Sequence, residues 1–278
     1  MFLLKQILPA VLLAMAVAAG VLGCAWWRGT PRAQRALTPV AVGLGYFFGH
    51  LLITGWTPFP PADTTNWLPY FGLAAAGLGA FWAGFPKVAA AWASFALLAI
   101  GALRLLLEPK FRYGWAAGQG WVWVMGLGFG VVLLGITLSA LVRRSSAAIE
   151  VPLVLFIVSA GISGTLMLSG SFLLGQFGAV FAGAIFAALL FSPRSPVGID
   201  GIAPVFAVFP GVLLVSGYFF AELPGPSAVL LAGAPVLALM PTGDLTGLPS
   251  AALRIILVSL PVAAAVIFAF RASPPLYY

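Results

Sequence analysis

Long apolar stretches alternate along this chain with short clusters of charge, proline and glycine. A membrane-spanning helix needs about 20 mostly apolar residues to cross a hydrocarbon core of about 30 Å. Ten stretches reach or approach that length: 7–27, 36–56, 66–85, 88–107, 115–141, 151–168, 171–192, 202–220, 227–240 and 252–270. Together they take up nearly the whole chain and leave no room for a soluble domain. The pattern predicts an all-α polytopic transmembrane helical bundle of about ten segments, nine if 227–240 is re-entrant. That stretch has 14 residues between Pro226 and Pro241, with Pro235 inside it. A half-spanning helix is tolerated only where protein or water covers its ends. Pro204 and Pro210 are expected to kink segment 202–220, because proline removes a helix hydrogen bond. Segments 151–168 and 171–192 read as a tight hairpin turning at Leu168, Ser169, Gly170 and Ser171.

Composition sharpens this picture. The 278 residues are 62% apolar and 7% charged, against about 45–50% and about 25% in soluble domains. Mean hydropathy is +1.12. There is too little charge to coat a water-facing surface, which excludes a soluble enzyme, a nucleic-acid binder, a disulfide scaffold and a disordered tail. The net charge of +7 comes from Lys and Arg scattered singly or in pairs, so it reads as topology and attraction to anionic lipid. With the N-terminus outside and ten crossings, the inner face receives Arg28, Arg32, Arg35, Lys87, Arg143, Arg144, Arg194 and Arg254. The outer face receives Lys5, Arg104, Lys110, Arg112 and Arg271. Basic residues collect on the cytoplasmic side, so an outside N-terminus is expected. The richness in Ala, Gly, Leu and Pro suits a bacterial inner membrane.

All nine tryptophans lie before residue 124, whereas small residues and prolines mark the rest. The chain therefore divides into a Trp-rich membrane half, 1–144, and a small-residue- and Pro-rich half, 145–278. Val21-Leu22-Gly23-Cys24 resembles a bacterial lipoprotein signal. Trp26-Trp27-Arg28 follows at once, however, and the run reads as an uncleaved first helix.

Candidate chemistry is sparse. His50 is the one histidine, inside an apolar segment, where ionisable groups are functional candidates by default. It could relay a proton, bind a quinone-like carbonyl or ligate a haem iron, or serve as a helix–helix hydrogen bond or an interfacial ring reaching headgroups. Gln119 and Gln176 are the next candidates, as lining of a solute path or as interhelical glue. Ser163, Thr165 and Ser169 belong to the densest run of hydroxyls and glycines. Gly126 and Gly130, and Gly175, Gly178, Ala182 and Gly183, recur at helical steps that let backbones approach. These faces could join helices within the chain, a second copy, or other membrane subunits. None of the six acids falls mid-segment. One cysteine and one histidine exclude an internal disulfide and most transition-metal sites. No phosphate loop, nucleophile elbow, zinc helix or haem attachment motif is present. No catalytic residue, metal or cofactor is therefore predicted, and membrane lipids are the expected partners.

The leading expectation is a small-solute or lipid transporter, or a permease-like component. The alternative is a non-catalytic subunit of a larger membrane complex that binds lipid, pigment or quinone. A third is an intramembrane enzyme built on His50 and a distant acid.

Overall fold

A computed structural model describes residues 2–56, 59–61, 63–84, 88–145, 147–192, 201–241 and 247–273. These residues form eleven α-helices: α1 (Phe2–Arg28), α2 (Pro31–Thr54), α3 (Leu68–Gly84), α4 (Val88–Leu106), α5 (Glu108–Tyr113), α6 (Ala117–Arg144), α7 (Glu150–Leu168), α8 (Phe172–Phe191), α9 (Ile202–Phe220), α10 (Gly225–Leu237) and α11 (Leu248–Ala272). A short 3-10 turn, Thr64–Trp67, leads into α3. Eight of the helices (α1, α2, α4, α6, α7, α8, α9 and α11) are long and apolar enough to cross a membrane. The 17 residues of α3 and the 13 of α10 complete the ten predicted segments. The chain is an all-α, multi-pass membrane bundle with no soluble domain.

Local chemistry moves several boundaries. The helix predicted at residue 36 starts at Pro31, because Thr30 caps it by accepting a hydrogen bond from the Ala33 amide (3.3 Å). A proline in the first turn lacks only an N–H that would be unpaired anyway. The cations Arg32 and Arg35 can sit in that turn because long basic side chains reach out of the bilayer. Helix α11 likewise starts at Leu248, four residues before its predicted start at 252, with a proline in its first turn. The amphipathic α5 was not predicted. Pro109 and Glu108 open it, Lys110 and Arg112 close it, and this order of charge suits the helix dipole. The predicted hairpin forms between α7 and α8. Gly170 turns it at φ +89°, a conformation that glycine adopts without strain. The Ser171 hydroxyl then caps α8.

Helices α8 and α9 sit deepest, with Phe177, Phe181, Phe206 and Phe209 fully buried. α1 and α2 pack together against α8, and α7 covers its other flank. α3 and α6 pack on α9, α4 on α6, and α10 and α11 on α7. Small residues make this closeness possible. A Cβ on Gly178 would come within 2.9 Å of Ser163 Cα on α7, and one on Gly49 within 2.9 Å of the Ala10 carbonyl on α1.

The end of α6 and the start of α7 meet α11 at one end of the bundle, where Arg254 reaches Glu150 and the Arg144 carbonyl. α10 starts beside Tyr218, near the end of α9, and just past its last turn the Leu239 carbonyl accepts from Arg144 (3.4 Å) at the end of α6. It therefore runs from one end of the bundle towards the other. Its 13 residues rise only about 20 Å, less than the hydrocarbon thickness of about 30 Å.

Candidate functional site

The candidate residues named from the sequence do not converge. Gln119 is exposed at the start of α6, and Gln176 is buried on α8. Ser163 donates to the Gly175 carbonyl (2.7 Å), joining α7 to α8. Thr165 donates to the Gly161 carbonyl (2.7 Å) and Ser169 to the Thr165 carbonyl (2.8 Å), each within one turn of its own helix. All three hydroxyl protons are thus committed to backbone.

His50 lies in the core at 1% exposure. One turn earlier on α2, Tyr46 places Oη 2.8 Å from His50 Nδ1. The imidazole stacks on Phe177 of α8 (centroids 4.1 Å apart), and the Tyr46 ring packs on Phe209 of α9 at 4.0 Å. His50 Nε2 is buried with no hydrogen-bond partner among the described residues. A hydroxyl does stand beside the ring, as general acid–base work requires, but neither group is open to the surroundings, His50 being 1% exposed and Tyr46 fully buried.

A second buried polar group was not anticipated. Glu150, the first residue of α7, is fully buried and accepts from Arg254 of α11, which is 6% exposed. Arg254 also reaches the Arg144 carbonyl (3.3 Å), and the Ser145 hydroxyl donates to Glu150 (3.2 Å). This cluster ties the ends of α6, α7 and α11 together. The partners are 104 residues apart, so spacing gave no signal.

An apolar groove of about 590 Å³ lies between α6, α9 and α10, within the range of about 300–1,000 Å³ typical of ligand sites. Gly211 of α9 forms its floor, so close to α6 that an added Cβ would come within 2.8 Å of Val131. Small residues keep the walls apart: Gly126 and Gly130 on α6, Ala228, Ala232 and Gly233 on α10. A Cβ on Gly126, Gly130 or Gly233 would meet nothing within 4 Å. Leu133, Val229 and Val236 line the groove and are exposed, so it opens outwards from the bundle. The lining on α6 runs from Trp123 to Thr137, a rise of about 21 Å. Gly175, Gly178, Ala182 and Gly183 take no part, being buried on α8 against other helices of the chain.

At one end of the groove an aromatic cluster joins it to α5. Phe219 meets Trp123 at 5.5 Å and Trp115 at 5.2 Å. Lys110 Nζ lies 5.8 Å from the Phe220 ring, and Arg104 sits 4.1 Å over Phe111. Glu108 holds Arg112 at 2.7 Å, and this hydrogen bond keeps the guanidinium pKa above its ordinary value. Among the described residues no group of three His, Cys, Asp or Glu could hold a metal ion. Cys24 is an exposed free thiol. Comparison with protein-family models, with curated proteins and with solved structures found no match.

Proposed function

We propose that this protein is a lipid-handling transporter or permease-like component, and that the groove between α6, α9 and α10 is where it holds the chain of an amphiphile. The groove's depth carries this reading. Its α6 lining covers about 21 Å of rise, most of a hydrocarbon core of about 30 Å, so a chain in it would reach past the bilayer midplane. Its walls are almost wholly apolar, with Thr137 and Tyr218 as hydroxyl groups along it. That lining suits an acyl chain better than a hydrated solute. The short α10 supports the same reading, since a helix that underfills its place in the bundle leaves space for lipid. His50, sealed in the core, contributes packing in this scheme. The host bilayer in this reading is a bacterial inner membrane with Arg143 and Arg144 on the cytoplasmic face, where basic residues collect.

The test is reconstitution into vesicles of phosphatidylglycerol and phosphatidylcholine carrying a fluorescent lipid, followed by quenching of the outer leaflet. Wild-type protein should expose inner-leaflet lipid faster than empty vesicles do. Gly130→Trp, which fills open space, should return the rate to that of empty vesicles while keeping the thermal unfolding midpoint. A wild-type rate no faster than empty vesicles overturns the transport reading.

A further inference from the structure

Resting on that reading, we infer that the amphiphile is anionic and that its phosphate headgroup sits on the α5 platform, held by Lys110 and Arg104. Continuity of the two surfaces is the first argument. Phe219 lines the groove, and the next residue, Phe220, lies under the Lys110 ammonium at 5.8 Å. Trp115, which follows α5, is 5.2 Å from Phe219 and stacks on the groove residue Trp123 at 6.2 Å. One aromatic wall therefore has the apolar groove on one side and the basic platform on the other. An aromatic layer of this kind suits the depth where chain meets headgroup.

Charge complementarity is the second argument. Helix α5 and the end of α4 carry Arg104, Lys110 and Arg112 against one acid, Glu108. Glu108 is committed to Arg112 by two hydrogen bonds, from Nε at 3.0 Å and from a terminal nitrogen at 2.7 Å. Neither Arg104 nor Lys110 has a carboxylate within ion-pairing reach among the described residues. The other nearby acid, Glu222 in the α9–α10 loop, is exposed and makes no ion pair with them among the described residues. Fixed packing holds the platform in position. Gly120 leaves room for Phe111 to lie on α6, since an added Cβ would come within 2.4 Å of that ring, and Arg104 covers its other face. Two cations that share no acid, beside a chain-sized groove, match a phosphate headgroup at a fixed distance from its acyl chain.

The experiment is native mass spectrometry of the purified protein with phosphatidylglycerol and phosphatidylcholine of identical chains at equal concentration. Wild type should retain phosphatidylglycerol preferentially. Lys110→Gln, and separately Lys110→Gln with Arg104→Gln, should reduce that preference by about fivefold per cation removed. The preference should be unchanged in Arg143→Gln, which alters an exposed cation at the opposite end of the bundle. Gly130→Trp should reduce retention of both lipids alike. Equal retention of the two lipids by wild type overturns the headgroup assignment and leaves the groove reading standing. Retention of neither removes both. A preference that survives loss of both cations also overturns the assignment, as does displacement of phosphatidylglycerol by millimolar inorganic phosphate, which would mark a site for a soluble anion.

Discussion

Arg254 on α11 donates to Glu150 at the first residue of α7, and both side chains are sealed from the surroundings. Removing one partner of such a pair leaves an uncompensated buried charge, at a cost of about 3–5 kcal/mol. Glu150→Leu or Arg254→Met alone should therefore lower the unfolding midpoint in detergent sharply. The double variant should recover most of the loss, since an apolar replacement of a buried pair is often neutral or better. Equal, additive losses in a double-mutant cycle would show that the two side chains do not depend on one another.

Tyr46 and His50 form a neutral counterpart on α2. Tyr46→Phe should destabilise by about 1–3 kcal/mol, because it strands His50 Nδ1 as well as Nε2 in an apolar core. Tyr46→Phe with His50→Leu should return close to wild type, as both ends of the hydrogen bond then go together. Lipid movement in vesicles should be unaffected by the double variant. A stable, well-folded double variant that has lost it would assign His50 or Tyr46 a direct role.

Two glycines test the packing between α7 and α8. Gly178→Ala must push against Ser163 backbone at 2.9 Å and should cost about 1–3 kcal/mol, as overpacking does. Gly164 has nothing within 4 Å of an added Cβ, so Gly164→Ala should gain about 0.5–1 kcal/mol from helix propensity. Thermal unfolding of the two variants side by side checks the sign as well as the size. Similar shifts in both would mean that the close approach at Ser163 is absent.

The ten apolar segments and their order could be read from hydrophobic runs alone, because lipid imposes a length on every crossing and the composition excludes soluble folds. What the runs could not carry was direction around each helix. Gly126 and Gly175 look alike in sequence, yet Gly126 faces open groove and Gly175 presses on Met167 of α7. Only the packing of neighbours decides which small residue closes a contact and which leaves a space. The Ser and Thr cluster drew notice for its polarity, and α7 then absorbed Thr165 and Ser169 into its own backbone. Helix α5 stayed hidden because its six residues carry half their positions as charge and sit between two apolar runs. The groove had one visible clue in the 14-residue segment 227–240, too short to fill its place.

The account stands most directly on whether a lipid chain occupies that groove. The measurement is photolysis of the reconstituted protein in vesicles doped with a phospholipid that carries a mid-chain diazirine, with adducts mapped by peptide mass spectrometry. The account expects adducts concentrated on the facing stretches of α6, α9 and α10, and their loss in Gly130→Trp while adducts on the exposed Ile256 and Leu260 of α11 remain. Labelling spread evenly over all exposed apolar positions, and unchanged by Gly130→Trp, would contradict it.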